Sequence, residues 1–65
     1  MATKAEAQTA LDEARAKCVE VDGRIEELRD VLHSFIGQEI IDIIVANNAT
    51  AEADIDIAIE YVDAT

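Results

Sequence analysis

Apolar side chains recur in alternating steps of three and four residues between Lys4 and Phe35. This spacing is the a/d heptad pattern of a helix that packs lengthwise on other helices. It predicts one long amphipathic helix over residues 4–36, capped at its start by Thr3 and Glu6 in a capping box. We expect the heptad positions to form an interface with neighbouring helices; they are Ala7, Leu11, Ala14, Cys18, Val21, Ile25, Leu28, Leu32 and Phe35.

The same heptad register sorts the charged residues of this segment. Four glutamates fall at position c, away from the apolar seam, and predict an acidic surface: Glu6, Glu13, Glu20 and Glu27. Basic residues fall at positions e and g, beside the seam: Arg15, Lys17, Arg24 and Arg29. In a simple antiparallel pair of long helices, Lys17 would meet Arg24 of the other copy, which is repulsive.

The second half of the chain predicts two shorter helices. Gly37 is expected to end the long helix in a left-handed conformation, although a helix that continues through Gly37 is the alternative. A helix over about 38–47 would place Ile40, Ile43 and Ile44 on one face and Ile41 and Val45 on another, and would be buried on both sides. The pair at 47–48, Asn-Asn, indicates a stop, and Thr50 would cap a third helix over about 51–62.

A strand hairpin is the competing interpretation of residues 39–62. Apolar residues at 55, 57, 59 and 61 alternate with polar or small ones, which is a strand pattern. The flanking Ala, Asp and Glu residues are poor strand formers, and an isolated hairpin lacks a second layer. Helices are therefore the prediction.

The chain length indicates how these elements are supported. A domain of 65 residues has a small core, and its one cysteine and one histidine cannot build a disulfide framework or a Cys/His zinc site. We therefore predict an all-α fold, in a single domain over residues 1–65. The two short helices fold back on the C-terminal half of the long helix, in an oligomeric coiled-coil or helical-bundle assembly. The stretch from Ala7 to Cys18 would be left for another chain.

The strong negative charge narrows the range of partners. The net charge is -10, and all five basic residues lie at or before Arg29. This balance argues against direct binding to nucleic acid or to anionic membranes and favours a basic partner. The partners we expect are further copies of the chain itself, because a domain of this size needs support, and another protein with a basic or apolar groove. The start of the chain lacks a signal-peptide pattern, so a cytoplasmic location is expected.

Residues with reactive or metal-binding side chains do not form a recognisable set. Cys18 is expected to be a buried seam residue and His33 an exposed one near a helix end. Asp54, Asp56 and Glu60 lack the glycine and terminal glutamate of a calcium loop. We therefore expect no catalytic, cofactor-binding or metal-binding residues and no cofactor.

The sequence favours a non-enzymatic, acidic helical module for protein–protein interaction, as an oligomerising adaptor, assembly factor or regulator. One alternative is a nucleic-acid mimic that inhibits a basic DNA- or RNA-binding protein through its acidic surface. A further alternative is a small structural subunit of a larger assembly such as a virus particle.

Overall fold

The computed structural model describes residues 2–65, and nearly all of them are helical. Helix α1 spans Lys4–Glu27 and helix α2 spans Arg29–Asp63. Residues 2–65 contain no strand, so the prediction of an all-α fold is confirmed and the strand alternative for residues 39–62 is wrong.

The start of α1 is the one that the sequence predicted. The backbone N–H of Glu6 donates a hydrogen bond to the Thr3 hydroxyl (3.2 Å), and that hydroxyl donates to the Glu6 carboxylate (3.3 Å). These bonds satisfy one of the N–H groups that a helix start leaves without a partner. Gly23 lies inside α1 and does not interrupt it.

The predicted long helix over 4–36 is interrupted at Leu28, which is a correction to that prediction. Leu28 has φ -104° and ψ 11°, between α1 and α2. Its N–H still donates to the Arg24 carbonyl (3.0 Å), and its carbonyl accepts from the Leu32 N–H (2.9 Å). Because helical hydrogen bonds continue on both sides, Leu28 is a local bend within one arm. No residue type near it signals a break.

The chain reverses direction at Gly37, inside α2. Gly37 has φ 79° and ψ 163°, a conformation that is accessible mainly to glycine. The predicted end of the first arm at this residue, with a positive φ, is therefore confirmed. The ψ of 163° lies outside the left-handed helical region that was expected for the cap. We call residues 4–36 the outgoing arm and residues 38–63 the return arm.

The return arm is one continuous helix, so the predicted division into helices over 38–47 and 51–62 is wrong. The Asn48 side chain reaches the other arm instead of ending the helix. The Thr50 hydroxyl donates to the Ala46 carbonyl (3.1 Å), one turn back, and does not cap a new helix. Both polar residues therefore satisfy their side chains within an unbroken helix.

The return arm covers the whole outgoing arm, which corrects a second expectation. Lys4 Nζ donates to the Asp63 carbonyl (3.3 Å), so the two arms run side by side to the ends of the helices. The stretch from Ala7 to Cys18, expected to be left for another chain, is packed against the return arm. The result is a helical hairpin of 46 × 16 × 15 Å.

The core between the arms is small. Among residues 2–65, the buried apolar side chains are those of Cys18, Ile25 and Ile41, and Ile41 is completely inaccessible. Ile40 and Ile44, which were expected to face the outgoing arm, are exposed. In an unbroken helix, heptad steps keep residues on one side, and Ile41 shares its side with the half-buried Asn48, Ile55 and Val62. Ile40, one residue earlier, points away from that side and is exposed.

Candidate interaction surface

Polar contacts join the two arms along one side of the hairpin, which we call the closed edge. Gln8 Nε2 donates to Asp63 Oδ1 (3.0 Å), and Arg15 Nε donates to Asp56 Oδ1 (2.7 Å). The hydrogen bond and charge of Asp56 raise the pKa of Arg15 above its usual value, so the guanidinium stays charged. Both groups are about half exposed, and the pair therefore contributes more to register than to stability.

Asn48 fixes the register of the arms from inside the seam. Its side-chain amide donates to the Cys18 carbonyl (2.8 Å) and to Asp22 Oδ1 (2.8 Å) in a partly buried position. A single polar residue at a core heptad position restricts which alignments satisfy its hydrogen bonds. Asn48 and the Arg15–Asp56 pair specify the same antiparallel alignment.

The opposite side of the hairpin carries apolar residues without a covering layer, and we call it the open face. On the outgoing arm, a residue at every seventh position contributes to it. Val21 is 41% exposed, Leu28 37% and Phe35 85%. Val31, beside this row, is also exposed. The exposed fraction of this row is largest at the turn end of the hairpin.

The return arm contributes the second half of the open face. Ile40 and Ile44 are exposed near the turn, and Tyr61 is exposed near the chain ends. Ala51 and Ala58 continue the row of Ile44 at heptad spacing and are half-buried. At 3.6 residues per turn, these residues point away from the closed edge, toward the same side as Val21 and Leu28. The open face thus spans both arms.

Charged and polar residues border the open face along its two long edges. Lys17 and Arg24 lie on the edge of the outgoing arm, and each pairs within its own helix, with Glu20 and with Glu27 respectively (3.3 Å each). Asn47 and Asp54 occupy the matching heptad position of the return arm and are exposed. One edge is therefore basic and the other is acidic or neutral.

The residues predicted as an interface divide into two groups in the structure. Cys18 and Ile25 are buried between the arms, and Ala7, Leu11, Ala14 and Leu32 are half-buried. Val21, Leu28 and Phe35 lie on the open face instead. Residues at heptad position a thus pack against the return arm, whereas residues at position d near the turn are exposed to solvent.

Two return-arm residues of the open face, Ile44 and Tyr61, were not recognised as a surface from the sequence. A second series of steps of four and three was present in the sequence, formed by residues 41, 45, 48, 52, 55, 59 and 62. It would have placed Ile41 inward and Ile44 outward. The Asn-Asn pair, interpreted as a stop, hid this continuity.

The predicted acidic surface is exposed but partly neutralised. Glu6, Glu13, Glu20 and Glu27 all face solvent. Lys17 pairs with Glu20 and Arg24 pairs with Glu27, so the stripe presents less negative charge than its sequence implies.

The remaining candidates are placed as follows. The Cys18 thiol is free and buried, and His33 is exposed. In the described part of the chain, His, Cys, Asp and Glu side chains form no group of three that could hold a metal ion. Neither α1 nor α2 combines the length and apolarity needed to cross a bilayer.

Comparison with known proteins found no relative: no family model, no curated protein and no solved structure matches the chain.

Proposed function

We propose that the protein is a non-enzymatic interaction module that binds another protein chain through the open face of its helical hairpin. Assembly would bury the apolar residues of this face, and the charges along its edges would select partner and alignment. The role is that of an oligomerising adaptor, assembly factor or regulator.

The observation that supports this proposal is the imbalance between buried and exposed apolar residues. Cys18, Ile25 and Ile41 are buried, whereas Leu28, Ile44 and other large apolar side chains of the open face remain in solvent. Val19, Ile43 and Ile57 are also exposed, outside this face. Contiguous exposed apolar patches mark sites that bind proteins, membranes or ligands. The net charge of -10 favours a protein over an anionic membrane. The open face is also bordered by charged residues, as the rim of an interface usually is.

The acidic stripe supports the nucleic-acid mimic less well. A mimic needs unpaired negative charges along the rod, but Glu20 and Glu27 already have basic partners at 3.3 Å. Reversing Glu13 and Glu20 to lysine should therefore leave binding to a partner of the open face nearly unchanged. Loss of binding in that variant, with the helical fold intact, would favour the mimic.

The test compares two surfaces of the same hairpin. A double variant, Leu28→Asp with Ile44→Asp, places two charges on the open face. A control variant, Val19→Asp, places a charge at an exposed apolar position on the other side of the outgoing arm, 53% exposed against 37% for Leu28 and 36% for Ile44. Binding is measured by affinity enrichment from extracts of the source cells, with quantitative mass spectrometry, and helicity is checked by circular dichroism.

We expect Val19→Asp to retain the partners of the unmodified protein, including further copies of itself, and the double variant to lose them. Equal enrichment by all three proteins, or no enriched partner and no self-association of the unmodified protein, would contradict the proposal.

A further inference from the structure

We propose that the open face is covered by a second copy of the same chain, in a four-helix bundle whose twofold axis runs parallel to the arms. Each outgoing arm would then pack on its own return arm along the closed edge and on the return arm of the second copy across the open face. This inference rests on the proposed function and specifies its partner.

The exposed area of the chain is the first argument. The hairpin exposes 4866 Å², whereas a compact monomer of this mass would expose about 4,100 Å². The excess follows from the elongated shape of 46 × 16 × 15 Å, and it is close to the area of about 800 Å² that each partner buries in a typical stable complex. A single hairpin of the same size, placed on the open face, is thus a sufficient cover.

The register of the hairpin supplies the second argument. Rotation about a twofold axis parallel to the arms does not move a residue along that axis. Residues of the two arms that lie level within one chain therefore also lie level between the two chains of the dimer. Lys17 lies two residues after Arg15, and Asp54 lies two residues before Asp56. The 2.7 Å contact of Arg15 with Asp56 therefore puts Lys17 level with Asp54 of the second copy.

Heptad steps from this pair reach further matched positions on the same edge. One heptad toward the turn, Arg24 is level with Asn47 of the second copy, a donor beside an amide oxygen. One heptad beyond, Val31 is level with Ile40, and both are exposed in the single chain. The edge thus pairs opposite charges, then polar groups, then apolar groups.

The row behind this edge also matches in size. In the same register, Leu28 lies within one residue of Ile44 of the second copy, near the turn. Toward the chain ends, Ala14 lies at a similar distance from Ala58. Large residues thus meet large ones and small residues meet small ones, so the two hairpins can approach closely at one end and fill the space at the other.

The other twofold arrangement is disfavoured by charge. An axis perpendicular to the arms would pack outgoing arm on outgoing arm in antiparallel orientation. Lys17 and Arg24 lie at nearly equal distances from the middle of that arm, so each would meet the other's counterpart. Two lysine–arginine contacts in an interface edge are repulsive.

Charge reversal distinguishes these arrangements by the sign of its effect. In the proposed dimer, Lys17→Asp faces Asp54 and should weaken self-association about ten-fold, because two contacts per dimer change from attraction to repulsion. Asp54→Lys should weaken it similarly. In the perpendicular arrangement, Lys17→Asp would face Arg24 and strengthen the dimer. Sedimentation equilibrium in 0.15 M salt measures each dissociation constant.

A mixture provides the decisive readout. Chains with Lys17→Asp and chains with Asp54→Lys restore opposite charges at both contacts when they associate, so the mixed dimer should form about as tightly as the unmodified one. Glu60→Lys is the matched control, since it makes the same charge change as Asp54→Lys at an exposed residue off the open face. When chains with Glu60→Lys are mixed with chains with Lys17→Asp, we expect no more mixed dimer than unmodified chains form with Lys17→Asp.

Strengthening by Lys17→Asp, or absence of preferential mixing, would overturn the proposed geometry. If the unmodified protein is monomeric at 100 µM yet the open-face variant loses a different partner from extracts, this inference is wrong and the proposed function stands. If the open-face variant alters neither self-association nor partner binding, both are wrong.

Discussion

The two glycines of the chain occupy different backbone conformations, and this difference determines what each residue contributes. Gly37 has a positive φ of 79° at the point where the chain reverses, and a Cβ built there would meet no atom within 4 Å. Gly23 is an ordinary helical residue with equally open surroundings. Space is available at both sites, so conformation alone distinguishes them.

Substituting each glycine by alanine should therefore have opposite effects. Gly37→Ala should lower the free energy of unfolding by about 1–3 kcal/mol, because L-residues are strained in that conformation. Gly23→Ala should raise it by about 0.5–1 kcal/mol through helix propensity. Urea denaturation followed by circular dichroism measures both. Stabilisation by Gly37→Ala would show that the reversal does not depend on this conformation.

The two adjacent asparagines provide a matched comparison of a buried and an exposed amide. Asn48→Ala removes the hydrogen bonds to the Cys18 carbonyl and to Asp22. Asn47→Ala makes the same change in helix propensity at an exposed position. We expect Asn48→Ala to be less stable than Asn47→Ala by about 1–2 kcal/mol in urea denaturation. Equal stabilities would mean that the inter-arm bonds of Asn48 contribute nothing.

The phase of the return arm decides which of its isoleucines are buried. Because the helix does not break at residues 47–50, Ile41 lies on the same side of the helix as the half-buried Ile55, Ile59 and Val62, several turns away. Adjacent isoleucines at 40 and 41 therefore have opposite environments, one 45% exposed and one fully buried.

This difference predicts unequal costs for the same substitution. Ile41→Ala should lower the free energy of unfolding by about 2–4 kcal/mol, since it removes a fully enclosed side chain. Ile40→Ala should cost much less in a dilute, monomeric sample and should instead weaken self-association. Thermal denaturation at low protein concentration, with sedimentation at high concentration, separates these effects. A larger loss of stability from Ile40→Ala than from Ile41→Ala would show that Ile40, and not Ile41, faces the outgoing arm.

At the level of helices, the sequence predicted much but not all of the architecture. The heptad spacing identified the outgoing arm, and Thr3 and Gly37 marked its ends. The bend at Leu28 has no signal in residue type. The continuity of the return arm was missed because Asn48 and Thr50 have local preferences for helix ends, whereas contacts with the other arm and with Ala46 satisfy them inside a helix. Tertiary contacts outweighed local propensity.

The open face could be predicted only in part for a related reason. Heptad spacing places Val21, Leu28 and Phe35 on a seam, but it does not distinguish contacts within the chain from contacts left outside. That distinction depends on the angle at which the return arm approaches, which Asn48 and the Arg15–Asp56 pair help to define. The approach angle depends on both helices, so the heptad spacing of the outgoing arm alone does not determine it.

Considered as a whole, the molecule combines a strongly acidic surface with a large uncovered apolar one. Self-association brings a net charge of -10 against another -10, so added salt should tighten the dimer by screening this repulsion. Binding to a basic partner would weaken instead. The dissociation constant is measured by sedimentation from 0.05 to 0.5 M NaCl. Weaker self-association at high salt would show that attractive contacts such as Lys17 with Asp54 of the second copy outweigh the net repulsion.

The contact of Lys4 with Asp63 sets the start of α1 and the end of α2 at the pole opposite Gly37. A fluorophore attached at either of these helix ends would therefore lie up to 46 Å from Phe35 and the reversal. In a bundle with a lengthwise twofold axis, these four helix ends lie at the same pole, so donor and acceptor dyes attached there would report pairing by energy transfer without covering the apolar residues near Gly37.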